Sequence, residues 1–554
     1  MIRRKWRWLA ISLQLLALVA FIYHSVQADS VATSVTVGNS APSFTVDPAE
    51  SPASSSTSPT DVGSSITFTA TASDPNNESY YLIICKTNSV SPTNGGAPTC
   101  PGGSWCVSAA TTSGSQASCS YTTQQSDSES NDWYAFVCDG NSSAASCSTA
   151  SQGTGDSGSP FKVNHPPSFT AISNDGPADP GATVTWTATA SDGDLDGTAD
   201  TVKLVVCKTA GISAGDCDGG ASDRWCASAL TSSNPSCSYS VPVPTADQAY
   251  NAYAYVVDNH NLGSSDTTQG SNSSYTVNNV APVVSAVTIN SGTDITLTEG
   301  TTTSVVLGAT ITDNNGCGDV STATASAYRS GIGYAACDTS AEANDNNCYP
   351  VINCSVVASG NTCDGASDAS ADYECTVSMQ YHADPTDLNT QYPTENWLDS
   401  VIATDDNGAS HRAEVSTGVE VNSLVALDVT GSISYGNLTV GQKNDPLDKT
   451  TTVTGTGNVG LDVELSGTDM SSGSDTIAVT QQKYALAAST AYASGASLTT
   501  TATEVELNVA KTTDNASPAT KTIWWGIEIP SNTPPGTYSG TNTVGAVKGE
   551  TVDW

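Results

Sequence analysis

The sequence predicts an all-β protein built of several β-sandwich units in tandem and stapled by disulfides. Three observations carry that prediction. Strand signals are short, alternate in polarity and are separated by Gly, Asn, Asp and Ser turns, as in Ile66-Thr67-Phe68-Thr69-Ala70-Thr71-Ala72. Leu, Lys, Arg and Met are scarce while Thr, Val, Ser and Tyr abound, which disfavours long helices. The chain has 554 residues, 38% of them hydrophobic. A single core rarely grows past roughly 250–300 residues, so several units are needed to use that length.

Charge narrows the function. With 17 Lys+Arg against 55 Asp+Glu, the formal net charge is −38. Binding to nucleic acid or to anionic membrane surfaces needs clustered Lys and Arg, so both are excluded. Beyond the N-terminal segment the arginines are Arg224, Arg329 and Arg412.

Residues 1–28 read as a signal peptide. Arg3, Arg4, Lys5 and Arg7 form the positive region, Trp8 to Tyr23 the apolar run, and Val26-Gln27-Ala28 the cleavage pattern, leaving Asp29 as the mature start. The competing reading is an uncleaved signal anchor. No other membrane segment is expected, so the product is secreted or held at the cell surface. Residues 29–38 form a leader whose Ser34-Val35-Thr36-Val37-Gly38-Asn39 matches the strand that closes each later unit. It is expected either as an orphan strand donated to another subunit's sheet, or as a first strand or tether of the first unit.

A duplication follows. Ile66–Asp74 recurs as Val184–Asp192, Leu82–Thr87 as Leu204–Thr209, and Trp105-Cys106 as Trp225-Cys226. Ser118–Tyr121 recurs as Ser236–Tyr239, and Tyr134–Val137 as Tyr253–Val256. The expected units are 39–164, 165–279, a divergent third unit at 280–422 with a cysteine-rich insert, and a C-terminal β-sandwich at 423–554. The Ala-x-Ala-Ser-Asp strand end, the aromatic-rich late strand and the Val-Asn-x-x-Pro linker resemble tandem immunoglobulin-like (PKD- or cadherin-like) repeats of prokaryotic surface proteins. That resemblance covers about residues 39 to 422 and implies immunoglobulin-like sandwiches in an elongated array.

The 16 cysteines fall in even-numbered groups, and no Cys-x-x-Cys pair favours zinc, so disulfides in an oxidising compartment are expected. Cys138 and Cys147 of the first copy have no counterpart in the second, which pairs them with each other. The four shared positions allow three connectivities. Sequential pairing is favoured: Cys85–Cys100 and Cys106–Cys119, then Cys207–Cys217 and Cys226–Cys237. Connectivity among Cys317, Cys337, Cys348, Cys354, Cys363 and Cys375 is left open.

The strongest metal signal is Asp192-Gly193-Asp194-Leu195-Asp196-Gly197-Thr198-Ala199-Asp200. Carboxylates at alternate positions converge on one hard cation, and glycine permits the tight turn. Asp192, Asp194, Asp196 and Asp200 are the expected calcium ligands, with a solvated acidic turn as the competing reading. The run resembles calcium loops of EF-hand-like and thrombospondin-type repeats, but Lys203 stands where an EF-hand places its bidentate Glu. Asp74, Asn76 and Glu78 form a weaker copy in the first unit. The turns at Asp258-Asn259 and Asp405-Asp406-Asn407 are expected as plain hairpin turns.

Gly155-Asp156-Ser157-Gly158-Ser159-Pro160 resembles the nucleophile segment of chymotrypsin-like proteases, yet no Ala-Ala-His-Cys segment supplies a base, so no catalysis is expected. Trp105 and Trp225, each beside a cysteine, are expected in the cores rather than as exposed sugar-binding aromatics. The expected function is therefore structural or adhesive and non-enzymatic, with other surface proteins or glycans as partners. Self-association into a filament or surface layer is the first alternative, and a secreted hydrolase with an unrecognised catalytic domain the second.

Overall fold

The computed structural model describes residues 31–195, 200–365 and 367–554, without the side chain of Asp553. The expected signal peptide and Asp196 lie outside the described residues. Among those described, the only helical elements are three-residue 3-10 turns, and no helix is long and apolar enough to cross a membrane.

The protein is all-β. In the first unit the strands Ser43–Ser51, Ser65–Ser73 and Gln116–Thr122 form one sheet, and Ser104–Val107, Tyr80–Cys85 and Tyr134–Asp139 form the other. The second unit repeats this with Ser168–Asn174, Thr183–Ser191 and Ser236–Ser240 against Arg224–Ala227, Val202–Cys207 and Tyr253–Asp258. A second strand paired with the first and fifth, facing a third strand paired with the sixth, is the Greek-key arrangement of immunoglobulin-like sandwiches. Alternation along each strand selects the core face: Ile66, Phe68, Ala70 and Ala72 are buried, as are Val184, Trp186, Ala188 and Ala190. The duplication extends to cross-strand detail. Thr67 and Ser120 hydroxyls meet at 2.9 Å, and so do those of Thr185 and Ser238.

The third unit pairs Val283–Ile289, Thr302–Thr312 and Ser370–Gln380 in one sheet, and Cys348–Asn353, Val320–Arg329, Trp397–Asp405 and Ser410–Glu414 in the other. This corrects the expectation of an insert between Cys317 and Cys375. Two core strands, Val320–Arg329 and the first part of Ser370–Gln380, lie inside that interval, where Ala323, Ala325, Ala327, Ala371 and Tyr373 alternate into the core. The fourth unit is a sandwich of different order: Leu427–Thr430, Lys449–Gly455, Thr520–Ile527, Gln482–Ala485 and Ala496–Ser497 face Thr503–Val509, Leu461–Gly467 and Asn542–Lys548. Residues 31–42 form no strand, and Val35 and Val37 are 88% and 76% exposed.

Every cysteine is bonded. The pairs in the first two units are Cys85–Cys100, Cys106–Cys119, Cys138–Cys147, Cys207–Cys217 and Cys226–Cys237. The third unit has Cys317–Cys363, Cys337–Cys348 and Cys354–Cys375. Each of the four cores holds one fully buried tryptophan: Trp133, Trp186, Trp397 and Trp525. Trp105 and Trp225 are half-buried, edge-on to Tyr121 and Tyr239, with Lys86 and Lys208 over their rings. Their indole N–H groups donate to Asp132 and Asn251 carbonyls.

One core position works against stability. Asp399 is fully buried on the strand Trp397–Asp405, and neither carboxylate oxygen has a hydrogen-bond partner. Burial pushes its pKa up to about 8. The folded state then holds a proton that the unfolded chain has released above about pH 4, so stability falls as pH rises, by about 1.4 kcal/mol per unit from this group. Asp399→Asn removes that slope. In urea unfolding, its stability relative to the parent should match near pH 4 and rise progressively up to pH 8.

Candidate metal centres at the poles of the sandwiches

The poles are built by strand ends. In each of the first three units the second strand ends at an aspartate: Asp74, Asp192 or Asp313. Its Oδ1 accepts the backbone N–H two residues on, at Asn76 (2.6 Å), Asp194 (3.0 Å) and Asn315 (2.8 Å). That side-chain turn stops the strand. The late strand ends likewise. Asp139 Oδ1 accepts from Asn141, Asp258 Oδ1 from His260 and Leu262, and Asp405 Oδ1 from Ala409.

With Oδ1 committed to the turn, each Oδ2 faces the pole. There an asparagine meets the late aspartate: Asn39, Asn164 and Asn279 donate Nδ2–H to Oδ2 of Asp139, Asp258 and Asp405 at 2.7, 2.9 and 2.9 Å. Asn164 also donates to Asp61 of the first unit at 2.9 Å. The same atoms are left over at all three poles. Oδ1 of each asparagine is buried without a hydrogen-bond partner, and so is Oδ2 of Asp74, Asp192 and Asp313. Asp313 and Asn164 are 0% and 1% exposed, so these oxygens are shielded from bulk solvent.

The expected calcium ligands converge in part. Ligand atoms of Asp192, Asp194 and Asp200 lie within 4.8 Å of one another. Asp194 is also held from the linker, its Oδ2 accepting the His165 N–H at 2.7 Å. Glu129 of the first unit accepts the Leu195 N–H at 2.8 Å. Burial pushes Asp192 up to about 6, with Asp194, Asp258 and Asp200 adding to the effect. Burial raises Asp258 as well.

Between the second and third units, Asp313, Asp319 and Asp405 form one such group, and Asp247, Asp319 and Asp406 another, so the second unit contributes Asp247. Burial pushes Asp319 up to about 7, with Asp406 and Asp313 adding to it. Asp313 is raised by burial too. At the first joint His165 Nδ1 meets Asp194 at 3.0 Å and His260 Nε2 meets Asp200 at 3.7 Å, whereas the carboxylates gathered at the second joint crowd one another. Asp258 and Asp405 do sit in hairpin turns as expected, but their second oxygens belong to the poles. Sequence reasoning missed them because a turn aspartate looks the same whether or not its free oxygen faces a partner.

The joint between the third and fourth units is different. Lys511 Nζ, on a residue 8% exposed, reaches the His382 carbonyl at 2.7 Å, Asn346 Oδ1 at 2.9 Å and Asp384 Oδ1 at 3.1 Å. Arg329 holds the other Asp384 oxygen at 3.1 Å and pairs with Glu395. An ammonium therefore occupies the centre of this joint. The protease-like segment carries no such constellation: Ser157 Oγ donates to the Thr154 carbonyl of its own turn at 3.4 Å.

No family model matches the chain, and no curated protein matches it. Among solved structures, a marsupial T cell receptor covers 67% of this chain and 100% of its own, at 12% identity and TM-score 0.27. The ICAM-5 D1–D4 ectodomain fragment covers 91% and 99%, at 9% identity and TM-score 0.23. Protocadherin gamma B7 extracellular cadherin domains 1–4 cover 69% and 76%, at 12% identity and TM-score 0.21. At such scores the fold rests on the chain's own sheets.

Replacing Lys511 with Met leaves Asp384 buried with Arg329 as its remaining cation. Loss of one partner of a buried charge group costs about 3–5 kcal/mol. Calorimetry of the full chain should show that loss equally in calcium and in chelator, since a protein cation neutralises this joint.

Proposed function

We propose that this chain is a secreted or surface-held structural and adhesive protein, without enzymatic activity. Its tandem sandwiches present binding faces to other surface proteins or glycans. Divalent cations, calcium foremost, set the joints between the first three units. The observation that supports this reading is the recurrence of buried, unpartnered oxygens at successive poles. Asp192 Oδ2 and Asn164 Oδ1 lie at the first joint, and Asp313 Oδ2 and Asn279 Oδ1 at the second.

The chemistry of the donor set favours calcium. The donors are carboxylate and amide oxygens, from two units at each joint, in number and spacing suited to a large hard cation with flexible geometry. Magnesium demands a tighter octahedron and gives up its water reluctantly. A bound cation offsets carboxylate repulsion and ties the linker asparagine to both strand ends, which stiffens the joint. The eight disulfides suit an oxidising extracellular setting. Export through residues 1–28 belongs to the same proposal.

The test is thermal unfolding of the mature chain in millimolar calcium and in chelator. Calcium at a hundred times its dissociation constant should stabilise each joint by about 2.7 kcal/mol. Asp258→Asn should remove the gain at the first joint and Asp405→Asn at the second, each leaving the other intact. Identical melting profiles in calcium and chelator would end the cation reading.

A further inference from the structure

We infer that the outer pole of the first unit is a third calcium site, and that its cation fastens the N-terminal segment onto the sandwich through Asn39. This goes beyond the two joints and uses none of their residues.

The cage is complete within the described residues. Asp74 is 4% exposed; its Oδ1 accepts the N–H of Asn76 at 2.6 Å and of Glu78 at 3.3 Å, while its Oδ2 has no partner. Glu78 Oε1 accepts from Asn141 Nδ2 at 2.9 Å, and its Oε2 is buried without a partner. Asp139 is fully buried; its Oδ1 accepts from Asn141 N–H, its Oδ2 from Asn39 Nδ2 at 2.7 Å, and the Ser146 N–H is shared between the two oxygens at 3.2 Å each. Ligand atoms of Asp74, Glu78 and Asp139 lie within 4.8 Å of one another. Asn39 donates also to the Ala144 carbonyl at 2.9 Å, which turns its own buried, partnerless Oδ1 to the remaining side.

Three carboxylates and an amide oxygen, with no sulfur or imidazole, select a hard cation. Every other hydrogen-bonding atom of the cage is used in holding those oxygens in place. An unfilled buried carboxylate oxygen costs free energy, and three carboxylates this close repel. One divalent ion answers both.

What sets this pole apart is what it holds. At the two joints the asparagine arrives on a strand or linker already packed into the preceding sandwich. Here residues 31–38 are exposed and form no strand. The hydrogen bonds from Asn39 and the Ser40 N–H to Asn76 Oδ1 at 2.9 Å join the segment to the pole. A cation shared by Asn39 Oδ1, Asp74 and Glu78 therefore couples the order of the segment to calcium occupancy.

The experiment uses the mature full chain, its Glu78→Gln variant and its Asn39→Ala variant. Calcium stoichiometry is read by isothermal titration, and amide hydrogen exchange by mass spectrometry over residues 36–46. The parent should bind one more calcium than Glu78→Gln. Calcium should slow exchange around Ser40 by at least about tenfold over chelator, and both variants should lose that slowing. Equal stoichiometry in parent and Glu78→Gln, or equal exchange with calcium and chelator in the parent, overturns the inference. The double variant Asp258→Asn/Asp405→Asn separates the two readings. If the joints bind nothing but Glu78→Gln still loses one calcium, the pole site stands and the joint reading falls. If the joints bind and the pole does not, the reverse holds.

Discussion

The hydrogen bond from a linker asparagine to the aspartate that ends a late strand is the contact on which the arrangement of the first three units depends. It occurs at Asp139, Asp258 and Asp405 with nearly the same length. Each aspartate divides its carboxylate between two tasks, one oxygen stopping the strand and the other receiving the linker. The amide then divides likewise, with its N–H side spent on the aspartate and its oxygen left buried without a partner, as is one oxygen of the aspartate at the end of the second strand. Strand termination, domain linkage and the polar cage are thus one construction.

Around that construction the sandwiches are interchangeable in kind but not in packing. The first unit fills its core with Phe68 edge-on to Trp133 at 5.3 Å, where the second places Trp186 edge-on to Tyr275 at 5.5 Å. The large ring thus sits at a different position in each copy: Trp186 lies on the second strand where the first unit has Phe68, and Ala252 stands where the first unit has Trp133. The indole N–H of Trp186 finds the Ser273 carbonyl, and that of Trp397 the Asp384 carbonyl. The latter bond ties the third core directly to the charged joint beneath it.

The joint at Lys511 and the cages at the other poles are two answers to one electrostatic problem. Domain ends that gather carboxylates must be neutralised before they can be buried. At the last joint the chain supplies its own cations, Lys511 and Arg329, and the contact closes with side chains alone. At the other poles one oxygen of the second-strand aspartate and one of the linker asparagine are left buried without a hydrogen-bond partner.

Much of this protein was legible from sequence because the signals were local or repeated. Alternation in Ile66–Ala72 and Val184–Ala190 set the strands. The pair of cysteines present in one copy and absent from the other pointed to the Cys138–Cys147 bond that the structure contains. The Asp192–Asp200 run declared an acidic loop because its carboxylates are neighbours in the chain. The rest depended on distance through space. Asp139, Asp258 and Asp405 look like hairpin residues until folding brings them against second strands begun a whole sandwich earlier. Core strands hid between the cysteines of the third unit because their alternating Ala and Tyr residues carry little hydrophobic contrast. Lys511 and Asp384 come from different units, and nothing in either local sequence names the other. Strand formation is settled by neighbours in sequence, whereas pairing of charges across a pole is settled by packing, which only the tertiary structure decides.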